Sequence, residues 1–232
     1  MKIKMYSLLA GAREASGTVI IIDVFRAFTT ASVALAAGVS KIVFFADPDD
    51  ALAYRRAGKA DFCAGEVDGI PPAGYDFGNS PYELATAASR GIDIKGKVMA
   101  HSTRAGTVGV NAASHADQIY GGSLANAKAT IDAVRADKPD LVSIVAMGLA
   151  GKVRTDEDEM CAIYMRNLLE GRSTAHDAIQ SIIKSGHEVL KFADPAQPQW
   201  HEEDVDYALK IDSLNQVVRI EEENGLLVAK PQ

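Results

Sequence analysis

The run Val19-Ile20-Ile21-Ile22 is apolar without a break and continues past one acid, Asp23, into Val24 and Phe25. A strand with one buried face alternates apolar and polar residues, so an unbroken run needs cover on both faces. Such a strand belongs in a mainly parallel sheet with helices above and below it. Its end carries a carboxylate at Asp23, a guanidinium at Arg26, and the hydroxyls of Thr29 and Thr30 at the opening of a helix. Neither charge belongs in a core unless it is paired or working. Parallel α/β sheets place their ligands where such strands end.

Further strands are expected at Lys2–Leu8, Lys41–Ala46, Lys97–His101, Gln118–Tyr120, Leu141–Met147 and Gln216–Ile220. Helices are expected at Ala27–Ala37, Pro48–Ala57, Pro81–Ser89, Thr107–Ser114, Leu124–Ala136, Asp156–Glu170, Thr174–Ser185 and His201–Lys210. This alternation predicts one α/β domain over residues 1–232, a three-layer α/β/α fold whose central sheet is mainly parallel or mixed. Residues 59–80 interrupt the rhythm with Gly and Pro. A loop that long inside a compact domain points to function. Ser80-Pro81-Tyr82-Glu83 is a capping box with Pro at the first helical position. Residues 156–159 are all acidic, in a first turn where the helix dipole favours them.

The net charge of −7 leaves no general basic footprint for nucleic acid or an anionic membrane surface. No apolar run is long enough to span a bilayer, and the opening Met1–Met5 lacks a signal-peptide pattern. Cys63 and Cys161 stand far apart with no CxxC, which reads as two inert buried thiols in a reducing cytoplasm. A small anionic substrate remains compatible with a few local Arg residues.

Four expected strands run into turns rich in small or hydroxyl residues. They hold Arg26, Thr29 and Thr30; then Ser102, Thr103, Arg104, Gly106 and Thr107; then Gly121, Gly122 and Ser123; then Gly148 and Gly151. On one edge of a parallel sheet, their free N–H groups and helix dipoles would suit a phosphate. Arg26 and Arg104 could clamp it bidentately. Asp23, Glu66, Asp76 and the Glu157–Asp158 pair supply hard oxygen ligands of the kind Mg²⁺ takes. The histidines are dispersed; His101, at a strand end, reads as a structural residue or an acid–base group. Trp200 reads as cover for a hydrophobic edge.

The ordered set of motifs resembles the 2-phosphosulfolactate phosphatase family. Asp23-Val24-Phe25-Arg26-Ala27 with Thr29-Thr30 is similar to its opening motif, and Gly65-Glu66 with Gly74–Pro81 to its central one. Gly122-Ser123-Leu124-Ala125-Asn126 is similar to its Gly-Ser-x-x-Asn motif, Glu157-Asp158 to its acidic pair, and Asp204–Asp212 to its Asp-rich helix. The family commonly carries Thr-Thr-Asn-Gly-Thr where this chain has Ser102-Thr103-Arg104-Ala105-Gly106-Thr107, which puts an Arg in place of an amide.

The resemblance implies a three-layer α/β/α, Mg²⁺-dependent phosphatase that converts (2R)-2-phospho-3-sulfolactate to 3-sulfolactate and phosphate, a step of coenzyme M synthesis. The expected site has Asp23, Arg26 and Glu66 as catalytic residues. Thr29, Thr30, Asn79, Ser80, Ser102, Thr103, Arg104, Gly122, Ser123 and Asn126 are expected at the substrate, and Asp23, Glu66, Glu157 and Asp158 at Mg²⁺. Asp23 could attack phosphorus or ligate the metal. Another phosphorylated hydroxy acid is the rival substrate, and a binding protein for a phosphorylated or sulfonated metabolite is the rival function. A homodimer is the default assembly.

Overall fold

The computed structural model describes residues 1–231. Its elements in chain order are β1 (Lys2–Ser7), α1 (Leu8–Glu14), β2 (Thr18–Ile22), α2 (Ala27–Ala36), β3 (Lys41–Phe45), α3 (Pro48–Arg56), β4 (Phe62–Gly65), α4 (Pro81–Ala85) and β5 (Val98–Ser102). They continue with α5 (Gly106–Ala112), β6 (Gln118–Gly122), α6 (Ala127–Asp137), β7 (Leu141–Ala146), α7 (Asp156–Glu170), α8 (His176–Lys184), α9 (Glu202–Leu209), β8 (Val218–Glu223) and β9 (Leu226–Ala229).

The strands form one nine-stranded sheet in the order β1-β7-β2-β6-β8-β9-β3-β5-β4. All five residues of β2 are buried, as its unbroken apolar run requires. Parallel β6 and β7 pair with it on either side. One face of the whole sheet packs on α1, α2, α4 and α5 through Ile21, Phe28, Phe44, Leu84, Met99 and Val110. The other face is covered in two parts. Helices α6, α7, α8 and α9 lie over β2, β6 and β7, while α3 packs over β3 and β5. Helices thus cover both faces, giving three α/β/α layers.

Three features depart from the sequence reading. The loop expected over 59–80 contains an edge strand, β4, which pairs with β5. The run Phe62-Cys63-Ala64-Gly65 is too short and too poor in β-branched residues to announce itself. Leu8–Glu14 is helical. The sheet is also divided, because β8 and β9 form an antiparallel hairpin between β6 and β3. Strands β3, β4 and β5 therefore run opposite, in the pairing sense, to β1, β2, β6 and β7. The turns after β2, β6 and β7 share one edge, as expected, whereas the turn after β5 belongs to the other half. Sheets twist by about 20–25° per strand. Five steps separate β2 from β5, yet their ends meet. The amide of Gly106, just past β5, donates to Asp23 Oδ2 at 2.8 Å.

Candidate active site

A cleft of about 390 Å³ opens where these ends converge. It suits a small metabolite. Asp23, Arg26, Glu66, Asn79, Arg104, Glu157 and Asp158, all expected from sequence, line it together. Lys191, Glu188, Gln197 and Trp200 close it from the segment before α9.

Asp23 is built in by backbone. Its Oδ1 accepts the Ala27 amide at 3.0 Å, and its Oδ2 the Gly106 amide. A Cβ at position 106 would lie 2.6 Å from Ala27 Cβ and 3.0 Å from Asp23 Oδ2, so only glycine lets that amide approach. Burial raises the Asp23 carboxyl to about 6 against these two amides, and the Glu66 charge adds to the rise.

Asp158 and Glu157 open α7. Asp158 Oδ1 accepts the Val24 amide and Oδ2 the Gly148 amide, both at 2.7 Å, so it ties the end of β2 to that of β7. Burial lifts its pKa well above the usual carboxylate range, with Glu157 and then Asp23 adding repulsion. Glu157 is pushed up to about 7 by burial, and its Oε2 is buried without a hydrogen-bond partner. Glu66 bridges two walls, accepting the Gly69 amide on Oε2 and the Arg104 amide on Oε1, each at 2.8 Å.

Arg26 is 1 % exposed and is the largest fully buried side chain. Its Nη1 lies 2.7 Å from Asp204 Oδ2 and donates to Gln199 O at 3.1 Å. Its Cζ sits 4.2 Å from the centre of the Trp200 ring. The other edge of the guanidinium, Nε and Nη2, is buried without a partner. That edge is the fork that takes a phosphate or carboxylate bidentately. Trp200 therefore supports a cation as well as covering an apolar edge. It also packs on Gly69, whose φ is +83° and where a Cβ would fall 2.3 Å from Trp200 Cζ2.

Most of the other expected substrate residues have structural tasks. Thr29 Oγ1 donates to Val24 O at 2.8 Å, and Thr30 is fully buried, so neither hydroxyl lines the cleft. Ser80 caps α4 by accepting the Glu83 amide and donates to Asp204 Oδ1 at 2.6 Å. Ser102 bonds the Tyr75 hydroxyl at 2.6 Å. Thr103 and Thr107 exchange amide–hydroxyl bonds at the start of α5. Gly122 accepts the Asp23 amide within the sheet edge. In the turn whose N–H groups were expected to hold phosphate oxygens, the Ser123 amide donates to Asn126 Oδ1 at 2.8 Å, and Asn126 Nδ2 goes to Gly121 O. The Gly-Ser-x-x-Asn motif folds its own turn, with that amide already spent. Asp76 holds the Cys63 amide and Arg55 away from the cleft.

His101 is fully buried, and burial lowers it to about 3, so it is neutral. Its Nε2 lies 3.2 Å from Asn79 Oδ1. Both cysteines are buried free thiols, with Cys63 pushed up to about 11 by burial.

Six acids line the cleft against three cations. Among the described residues no group of three or more His, Cys, Asp or Glu forms a ready cation cage. Mg²⁺ asks for less: it keeps several waters and binds through one or two carboxylates together with substrate phosphate. An oxygen-only donor set with the bare Glu157 Oε2 fits such a cation. Asp23 and Asp158 each spend one N–H contact per oxygen, and a carboxylate oxygen has a second lone pair to offer.

A family model described as 2-phosphosulpholactate phosphatase matches residues 5–223. A probable 2-phosphosulfolactate phosphatase of Bacillus subtilis (strain 168) is 31 % identical over 195 residues, covering 82 % of this chain and 81 % of the relative. One of Thermoplasma volcanium is 31 % identical over 196 residues, with 84 % and 85 % covered. One of Caldicellulosiruptor saccharolyticus is 30 % identical, with 75 % of each chain covered.

Proposed function

The chain belongs to the 2-phosphosulfolactate phosphatase family, and we propose that it hydrolyses a small anionic phosphomonoester, 2-phospho-3-sulfolactate first among them, with Mg²⁺. The observation that carries this reading is the buried, unpartnered Nε–Nη2 edge of Arg26 beside a crowded set of carboxylates. An apolar ligand would leave that edge unpaired at a cost of about 1–3 kcal/mol or more. A phosphate would pair with it.

Arg26 would hold two phosphate oxygens, with Asp204 fixing its other side. Asn79 and Arg104 lie along the same walls. Glu157, Asp158 and Asp23 would hold the cation, which supplies charge neutralisation for the phosphoryl group in an acid-lined cleft. Asp23 stands at the reacting end. Its carboxylate, raised to about 6, is largely ionised at neutral pH yet basic enough to take a proton. Acid-quench labelling separates the alternatives: a trapped acyl phosphate marks attack on phosphorus by Asp23 itself, and its absence leaves Asp23 as a ligand of the cation or a proton acceptor for the attacking water. No helix of the described residues is long and apolar enough to cross a membrane. Two unpaired buried thiols are in keeping with a reducing compartment.

The test is phosphate release from 2-phospho-3-sulfolactate and a panel of phosphorylated hydroxy acids, with Mg²⁺ and with EDTA. Metal-dependent release from the sulfonate alone would establish reaction and substrate together. Release from another member only would replace the substrate. No release, with tight metal-independent binding of one compound, would make the protein a metabolite carrier.

A further inference from the structure

We propose that Lys191 recognises the second anionic group of the substrate, the carboxylate or sulfonate carried on the carbon skeleton beside the phosphate ester, and so sets the enzyme's specificity. The proposal rests on the reading of the cleft as a phosphomonoester site.

Three cations line the cleft. Arg26 is fixed by Asp204 and presents its free edge to phosphate. Arg104 has a side chain 47 % exposed, and its Nη2 reaches only Asp68, itself exposed, at 3.7 Å. Water screens such a charge. The Lys191 side chain is 18 % exposed, its Nζ lies 2.5 Å from Glu188 Oε2, and it stands 4.2 Å from the Trp200 ring. This ammonium is partly desolvated and held in place. Only one of its three N–H donors is needed by Glu188, so others remain for a ligand.

Arg26 and Lys191 line the same cleft, and the Trp200 ring bounds their separation. Arg26 Cζ is also 4.2 Å from the Trp200 ring, so the two cations are no more than about twice that distance apart. Phosphate and a carboxylate or sulfonate on neighbouring carbons can bridge such a gap. Lys191 lines the same cleft as Asp23, Glu157 and Asp158. An acid-lined cleft would repel a multiply charged ester unless each of its anions met a cation of its own. The segment that carries Lys191 and Trp200 thus supplies a pole for the part of the substrate that does not react.

The experiment compares Lys191→Met and Lys191→Arg with the unaltered protein. Kinetics are measured on 2-phospho-3-sulfolactate, phosphoglycolate (which keeps a carboxylate), O-phosphoisethionate (which keeps a sulfonate) and p-nitrophenyl phosphate (which has neither). Calorimetry measures binding of 3-sulfolactate. A hydrogen bond to a charged group is worth about 1.5–3 kcal/mol, roughly ten- to a hundredfold in affinity. Lys191→Met should lower kcat/KM for 2-phospho-3-sulfolactate by that factor, mainly through KM. The loss should exceed that on p-nitrophenyl phosphate about tenfold. Lys191→Arg should recover most of it, and 3-sulfolactate binding should weaken in parallel. The ester that shares the loss, carboxylate or sulfonate, identifies the group recognised. Equal losses on all four esters, or undiminished 3-sulfolactate binding, would overturn the proposal. If no ester is hydrolysed by the unaltered protein while Lys191→Met still abolishes 3-sulfolactate binding, the phosphatase reading falls and the anion pole stands.

Discussion

Asp204 Oδ2 lies 2.7 Å from Arg26 Nη1 across 178 positions of sequence. The other Asp204 oxygen accepts the Ser80 hydroxyl and the Tyr82 amide. One carboxylate, 0 % exposed, therefore holds together the end of β2, the start of α4 and α9. Asp204→Asn should leave the guanidinium buried and uncompensated, which costs about 3–5 kcal/mol where a buried pair is broken. Urea denaturation should show that loss, and kcat/KM should fall together with it. Arg26→Lys should lower kcat/KM about a hundredfold with a smaller stability change, since a point charge cannot form the fork. Unchanged kinetics in the lysine variant would place Arg26 outside the phosphate site.

Asp23→Asn should lower turnover at least ~100-fold in a protein that still melts cooperatively, the scale on which one electrostatic contact at a reacting group counts. A cation held by Asp23 should draw its carboxyl below the metal-free value of about 6, so kcat/KM should rise with pH through about 6 at limiting Mg²⁺ and at lower pH when Mg²⁺ saturates. A profile that does not shift with Mg²⁺, or near-normal turnover in the Asn variant, would remove Asp23 from the chemistry.

The carboxylates make the metal-free protein sensitive to pH. Asp23 and Glu157 are raised from 3.8 to about 6 and from 4.5 to about 7. Between the unfolded and folded values the folded protein binds more protons, so stability must fall as pH rises through that window. Thermal melts without metal should move down between about pH 4 and 7. Mg²⁺ should restore the lost stability at the upper end and have little effect at the lower. Glu157→Gln should flatten the slope and remove part of the Mg²⁺ response. Melts independent of pH and of Mg²⁺ would contradict the assignment of this cluster to a cation.

The buried His101 faces the cleft residue Asn79. Its Nδ1 has no partner and its Nε2 faces Asn79 Oδ1. An unpaired acceptor is tolerated better than an unpaired donor, so the proton belongs on Nε2. Donation from there turns the Asn79 amide nitrogen away from His101, and Asn79 lines the cleft. His101→Phe should free that amide to rotate and reduce kcat/KM about tenfold. His101→Gln, which returns a donor at the same reach, should recover most of the loss. Equal activity loss in both variants, tracking melting temperature alone, would make His101 a packing residue only.

Much of the scaffold was legible because burial writes itself into residue order. The apolar run at 19–22, the capping box at 80–83 and the acids at 156–159 each state a local requirement. The acid–guanidinium pair at 23 and 26 stood out because charge at a buried strand end is costly. The far wall was legible only in part. Trp200 read as apolar cover and Asp204 stood out in the Asp-rich helix, but their meeting with Arg26, more than a hundred positions away, and the place of Lys191 in the cleft were not legible, since no periodicity marks such meetings. The hairpin of β8 and β9 did leave a signal. Asn224-Gly225, with φ values of +54° and +77°, is the dipeptide that joins strands through a tight primed turn. Read between Val218–Glu223 and Leu226–Ala229, it would have announced an antiparallel pair and a mixed sheet.

That hairpin has a consequence for how the chain acquires its shape. During vectorial synthesis, β1 through β7 emerge before the two strands that stitch the halves of the sheet together. Until then β6 and β3 each present an unpaired edge, and the meeting of Asp23 with Gly106 has no continuous sheet behind it. Long-range pairing of this kind is slow and leaves edges open to association. The nascent protein should therefore depend on its final strands, and on whatever shields those edges, before it can hold a substrate at all.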